Sequence, residues 1–338
     1  ETSLVDRPTS FKAEYNSGKP GPTIDYLAEY DALPGIGHGC GHNLIGTMSV
    51  GAGVILSKLL DDIGGNVVVF GTPAEETNGA KVPMAKAGLF NDVDVAMMLH
   101  PAGESYESGD SLAMDALQFT YYGKTSHAAA SPEKGINALD GVIQLFNGIN
   151  ALREHVKSDV RIHGVITEGG KAANVVPDKA VAQFYVRAKE RAYLDEVVEK
   201  VKAIAHGAAQ MTGTKLEITN YELSYDNMIT NQALSDAFTK NLKDISPHPV
   251  HPKRAGSGSL DMGDVSHVVP SIHPYIGMNK PGLIGHTKEF ADQTITEDGQ
   301  EALLTGALSL AATGYDVITD RELLTAIKEE FAEKVKHS

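Results

Sequence analysis

Between residues 117 and 223 the chain spells out one complete structural unit, and no other stretch limits the fold as much. A strand at 117–122 leads into a helix at 133–154, in which Ile136, Leu139, Val142, Ile143, Phe146 and Ile149 fall on one broad stripe. A strand at 161–167, a glycine turn, a strand at 181–188, a helix at 192–211 and a strand at 215–223 complete the series. The order β-α-β-β-α-β is the ferredoxin-like split unit. Being self-contained, it reads as an insertion at 114–225 into a second domain assembled from 1–113 and 226–338. Two domains also suit the 338-residue length.

The flanking segments follow a different rule. Val67-Val68-Val69-Phe70 ends at Gly71-Thr72-Pro73, and the run from Val93 to Leu99 ends at His100-Pro101. Short apolar runs closed by glycine or proline and separated by helices are buried strands of a mainly parallel sheet. The helix expected at 43–60 is apolar almost all round, with Gly46, Gly51 and Gly53 permitting close backbone approach. Helices are also expected at 231–242, 297–314 and 322–336, the last amphipathic through Leu323, Leu324, Ile327, Phe331 and Val335; residues 246–264 are rich in glycine, serine and proline.

Composition narrows the partners. With 44 acidic against 29 basic residues the formal charge is −15, which repels nucleic acid and anionic lipid. No run reads as the roughly 20 apolar residues of a membrane span. The one cysteine, Cys40, forms no internal disulfide, and no secretory leader opens the chain, so the expected location is cytoplasmic.

In open α/β sheets ligands collect outside the carboxyl ends of the strands. The Val67 strand runs into Pro73-Ala74-Glu75-Glu76, the Val93 strand runs into His100, and the glycine-rich loop 35–43 carries Cys40 and His42 into a helix. Each group alone has an ordinary structural explanation; their convergence from three segments does not. A thiol, imidazoles and carboxylates together suit zinc or another first-row divalent ion. Adjacent glutamates can then divide the labour, one ligating while the other deprotonates a water whose pKa the ion has lowered from 15.7 to about 7. Two other readings stand beside this one. Cys40 could be a covalent nucleophile with His42 or His38 as base, or the chain could be a non-catalytic two-domain protein that closes on a small ligand.

Six segments carry a resemblance: Glu29-Tyr30-Asp31-Ala32-Leu33-Pro34, Gly39-Cys40-Gly41-His42-Asn43, Pro73-Ala74-Glu75-Glu76, Ser126-His127-Ala128-Ala129, Asn174-Val175-Val176-Pro177-Asp178 and Gly285-His286-Thr287. In this order, over nearly the whole chain, they resemble the M20 metallopeptidases. The match is to the amidohydrolase branch, which holds aminobenzoyl-glutamate hydrolases, N-acyl amino acid hydrolases and aminoacylase-1-like 2 dipeptidases. The resemblance implies a zinc-exopeptidase-like α/β catalytic domain with an inserted ferredoxin-like α+β lid that also dimerises. It implies two divalent ions, Zn²⁺ foremost with Mn²⁺ or another first-row ion as alternatives, bridged by Cys40 and held by His42, Glu76, His100 and His286. Glu75 is then the general base, Asp31 an orienting acid, His127 the oxyanion donor and Asn174 a substrate contact. The implied substrate is a small N-acyl amino acid, an aminobenzoyl-glutamate-like compound or a dipeptide, and the implied assembly a homodimer or higher homo-oligomer.

His286 stands out among the 13 histidines only through the resemblance; His38 is read as structural. Many M20 peptidases carry a histidine where this chain has Glu29, and an aspartate where it has Cys40. Some also hold the substrate carboxylate with an arginine just after the lid, but no basic residue lies between Lys215 and Lys240. Arg187 or Arg254 is expected to serve instead. Family members usually have a helix and a strand before the position of Glu1, so an amino-terminal piece is expected to be missing.

Overall fold

The computed structural model describes residues 1–253 and 258–336. They fall into two compact units, Glu1–Ser111 with Met228–Ser338, and Leu112–Asn227.

The first unit is built on a five-stranded sheet in the order Phe11–Asn16, Asn66–Gly71, Thr23–Ala28, Val95–Met97, Ser271–Ile272. The Phe11–Asn16 edge pairs antiparallel, and the other neighbours pair parallel. Alternation along these strands feeds two cores. Ile24, Tyr26, Val67, Val69 and Met97 pack with Met48 and Leu56 of the helix His42–Ile63 and with Leu310 of the helix Glu297–Thr319. On the opposite face Leu27, Val68, Phe70 and Met98 meet Met84, Phe90, Met262 and Val265. Each fully buried side chain of this kind contributes about 1.5–3 kcal/mol, so the strand ends are carried on a well-fixed base.

Three expectations need correction here. The apolar run from Val93 divides: Val95–Met97 stays in the main sheet, whereas His100–Ala102 joins a separate four-stranded sheet beside Tyr275–Gly277. The helix His42–Ile63 is not buried all round, since Val50 and Val54 face outward. It and Glu297–Thr319 are also long and apolar enough to cross a membrane by length and composition. Their buried residues nonetheless sit in the core just described, with the two helices packed on one another.

The second unit has the order Lys215–Asn220, Ala113–Tyr122, Lys179–Ala188, Arg161–Glu168, all antiparallel. One face carries Leu117, Phe119, Tyr121, Ala182, Phe184 and Val186, which pack with Val142, Leu145, Ile149, Leu194, Val197 and Val201 of the helices Ala138–Leu152 and Arg191–Thr212. The first helix begins later than its apolar spacing predicts. The Asn137 side chain accepts from the Leu139 N–H at 2.9 Å and caps the helix there, leaving Pro132–Lys134 as a separate 3₁₀ turn. The buried stripe runs through Ala138, Val142, Leu145 and Ile149, so Leu145 is inside while Ile143 is exposed.

Candidate metal centre

The parallel strands of the first unit deliver polar residues from their carboxyl ends. Thr23–Ala28 leads to Glu29 and Asp31, Asn66–Gly71 to Glu75 and Glu76, Val95–Met97 to His100, and Ser271–Ile272 to His273. Local backbone shapes aim them. Gly41 has φ +78°, and a Cβ there would lie 2.4 Å from Pro101 Cγ, so only glycine can bend the chain between Cys40 and His42. Ala74 (φ +68°), just before Glu75, and His286 (φ +61°) hold the left-handed conformation without being glycine, at a cost of about 1–2 kcal/mol each. Strain placed at and beside these side chains is the kind that functional sites retain.

Among the described residues a group of potential donors forms from Glu29, His42 and Glu75, and two further groups share one atom. The ligand atoms of Cys40, His42 and His100 lie within 4.8 Å of one another, as do those of Cys40, Glu76 and His286. Cys40 Sγ is 3.6 Å from His100 Nε2, and Glu76 Oε1 is 3.4 Å from His286 Nε2. Around a tetrahedral zinc ion, bonds of about 2.0–2.1 Å to nitrogen or oxygen and about 2.3 Å to sulfur set such pairs about 3.3 and 3.6 Å apart. These spacings are therefore edges of a coordination shell. His42 Nε2 and Glu76 Oε1 are buried without a hydrogen-bond partner, as suits atoms that face a cation. The donor set fits divalent metal.

The surrounding contacts orient the imidazoles. His100 Nδ1 donates to the Pro101 carbonyl at 2.7 Å, leaving the Nε2 lone pair turned to Cys40. His42 Nδ1 lies 3.3 Å from Asp31 Oδ1, and Asp31 Oδ2 accepts from the Glu76 N–H at 3.1 Å. Asp31 thus ties the His42 ring to the turn that carries both glutamates. Glu75 Oε2 stands 4.0 Å from His42 Nε2.

Charge in the cluster is unbalanced. Burial alone would lower His42, but its contacts with Asp31, Cys40 and Glu29 push it up to about 12. Burial would raise Asp31, yet His42 holds it at about 2. His100 is pushed down to about 3 by burial and by His273, which keeps its ring neutral and ready to donate a lone pair. Burial, with Glu29 and Asp261 nearby, lifts Glu75 well above the usual carboxylate range. Burial also pushes the Cys40 thiol up to about 11, the reverse of what a free nucleophilic thiolate requires.

Beneath the donors lies a network that sequence reading missed. Lys81 is fully buried; its ammonium contacts Glu29 Oε1 and lies 2.7 Å from Asp261 Oδ1, and its backbone N–H donates to Asp261 Oδ2 at 3.2 Å. Gly79 makes room, because a Cβ there would lie 2.3 Å from Asp261 Oδ2. A lysine closely following a glutamate pair was the available signal. Nothing around Leu260-Asp261-Met262 marks Asp261.

Other candidates lie elsewhere. His127 and Asn174 adjoin in the second unit, where the Ala128 N–H donates to the Asn174 carbonyl at 3.0 Å. His127 Nδ1 accepts from the N–H groups of Ala129 (3.3 Å) and Ala130 (3.1 Å), which leaves the ring proton on Nε2. Arg187, on Lys179–Ala188, holds its guanidinium 5.4 Å from the Tyr185 ring centroid. Arg254 lies outside the described residues. His38 is half-buried and belongs to none of these donor groups among the described residues.

Residues 115–210 match the M20 peptidase dimerisation domain. Across 97% of its length the chain is 36% identical to the Xaa-Arg dipeptidase of Mus musculus, covering 79% of that protein. It is 29% identical to one of the p-aminobenzoyl-glutamate hydrolase polypeptides of Escherichia coli (strain K12), over 96% of this chain and 82% of that one. The crystal structure of the Bacillus subtilis YXEP protein, a dinuclear metal-binding peptidase from the M20 family, shares the fold, with a TM-score of 0.67 at 20% identity over 93% of this chain and 86% of that one. A relative matched at 36% identity over most of both chains, with the dimerisation domain in place, settles the affiliation: the chain belongs to the M20 family of metallopeptidases.

Proposed function

We propose that this chain hydrolyses the amide bond of small N-acyl amino acids, aminobenzoyl-glutamate-like compounds or dipeptides. The observation that carries the reading is the sharing of Cys40 by two donor groups, with Glu75 beside them. Cys40, His42 and His100 would hold one ion, and Cys40, Glu76 and His286 the other. Thiolate and imidazole donors favour Zn²⁺ over Mn²⁺, and a reducing compartment such as the cytoplasm keeps the lone thiol free to ligate. When bound, the ions supply Lewis acidity and lower the pKa of water.

Glu75 takes a proton from the attacking water at its carboxylate and returns it to the leaving nitrogen. Its burial and acidic neighbours raise its affinity for that proton, the direction that makes a carboxylate a stronger base. Asp31 holds the His42 ring through Nδ1. His127, with its proton fixed on Nε2, donates to the carbonyl oxygen as that atom gains charge. Asn174 lies next to it as a substrate contact, and Arg187 is the described arginine assigned to a substrate carboxylate. The second unit pairs two copies of the chain, as the dimerisation-domain match supports.

The test is hydrolysis of a panel of acyl amino acids, aminobenzoyl-glutamate and dipeptides with Zn²⁺ and with Mn²⁺, alongside metal analysis. The expected result is metal-dependent turnover that a chelator abolishes and re-addition restores. Turnover that survives the chelator but not an alkylating reagent would transfer the chemistry to the thiol of Cys40. Tight ligand binding with no turnover of any amide would leave only a binding protein.

A further inference from the structure

One buried cation stands behind the proposed base. Lys81 opens the helix Lys81–Lys86, at the end of the turn that carries Glu75 and Glu76. Its ammonium contacts Glu29 Oε1 and lies 2.7 Å from Asp261 Oδ1, while its backbone N–H donates to Asp261 Oδ2 at 3.2 Å. Burial would lower its pKa, but Asp261 and Glu29 raise it above the ordinary lysine value, so the charge is kept. The turn closes where the Ala80 N–H donates to the Pro73 carbonyl at 3.1 Å. It is gripped on both sides, by Asp31 at the Glu76 N–H and by Asp261 at the Lys81 N–H. The ammonium also holds one oxygen of Glu29; the other lies 3.4 Å from His42 Nε2, and the donor atoms of Glu29, His42 and Glu75 lie within 4.8 Å of one another. Two carboxylates thus crowd one imidazole, and like charges that close repel unless a cation holds one of them back.

We infer that Lys81 is a positioning residue for Glu75: its backbone fixes the end of the turn, and its ammonium holds Glu29 so that Glu75 keeps its place beside His42. The inference rests on the hydrolytic reading above and deepens it. For stability alone, a buried ion pair is often replaceable by apolar side chains of similar volume. Here a single ammonium answers two buried acids from separate segments and joins both to the turn of the base. Glu29 follows the strand Thr23–Ala28, and Asp261 precedes the helix Met262–Ser266. Lys81 reaches the reaction only through these partners, so its loss should act on turnover more than on substrate binding.

The test compares Lys81→Met with Lys81→Met/Asp261→Asn in the full chain, by thermal melt, metal analysis and steady-state kinetics with Zn²⁺ on the panel substrate that the wild type turns over best. The single variant leaves two buried acids without their cation and should melt lower. The double variant restores the net charge of the trio, and the amide oxygen at position 261 can still accept from the backbone N–H at position 81. It should regain most of the melting temperature and carry the wild-type metal content. Its kcat is nonetheless expected to stay about 10²-fold low, the loss that a displacement of about 1 Å produces, with KM little changed. A kcat that recovers together with stability would overturn the inference and leave Lys81 a structural ion pair. If neither variant folds, Lys81→Arg keeps the charge but lengthens the reach and pushes Glu29 from its place. The same loss of kcat is then expected in a folded, metal-loaded chain, and undiminished kcat overturns the inference. Absence of metal-dependent turnover in the wild type would instead overturn the hydrolytic reading itself.

Discussion

The two units bury different things. Among the described residues of the second, the buried polar side chains are Asp115 and Thr120, and its core is otherwise the apolar set from both helices and one sheet face. The first unit buries Asp25, Glu29, His42, Lys81, Asp261, Asp264 and His273. Ionisable groups this deep are costly unless paired or facing a cation. The second unit is therefore organised for stability, and the first gives up part of its stability to hold charges where chemistry needs them. Substitutions in the two should separate activity from folding.

The largest expected effect is at Glu75. Glu75→Gln keeps the shape of the side chain, so the melting transition and the metal content should hold while kcat falls by about 10⁴-fold. Steady-state kinetics beside a thermal melt checks this, and near-normal turnover would remove Glu75 as the base. Phe184→Ala should do the opposite. Phe184 is fully buried between Phe119 and Phe146, with ring centroids 6.0 and 4.7 Å away, and its truncation should cost the second unit about 3–5 kcal/mol, read by denaturant unfolding. His127→Ala sharpens the contrast by placing an activity effect in the stability unit. Its loss should lower kcat by about 10²- to 10³-fold, with KM and the melting temperature nearly unchanged.

The smallest effect probes a buried charge outside the centre. Asp25 is fully buried, and burial raises its pKa well above the usual carboxylate range. The folded chain then holds this proton more tightly than the unfolded chain does, so its contribution to stability falls as pH rises through the interval between the two pKa values. Asp25→Asn should remove that slope, gaining about 1 kcal/mol at pH 8, with the gain shrinking toward pH 4. Parallel melts across that range test it, and a gain independent of pH would contradict the assignment.

The same division decides what was legible in the sequence. Every element of the second unit lies near its expected place, because each buries one face and shows it as a period. Its one clear displacement, the helix starting at Ala138, came from an Asn137 cap that spacing alone does not reveal. In the first unit the central strand Thr23–Ala28 escaped, because Asp25 interrupts its apolar run. Cys40, His42, Glu75, Glu76 and His100 could be grouped because they follow strand ends or a glycine turn. The partnership of Lys81 with Glu29 and Asp261, 52 and 180 residues away along the chain, exists only once the sheet is assembled. His286 came from the resemblance alone; its loop has no period to read.

The central claim is that one thiol serves two cations. Anomalous diffraction at the zinc edge from crystals grown with zinc addresses it directly. The account predicts two peaks, each about 2.3 Å from Cys40 Sγ, one beside His42 and His100 and the other beside Glu76 and His286. A single peak, or peaks that leave Cys40 untouched, would contradict it.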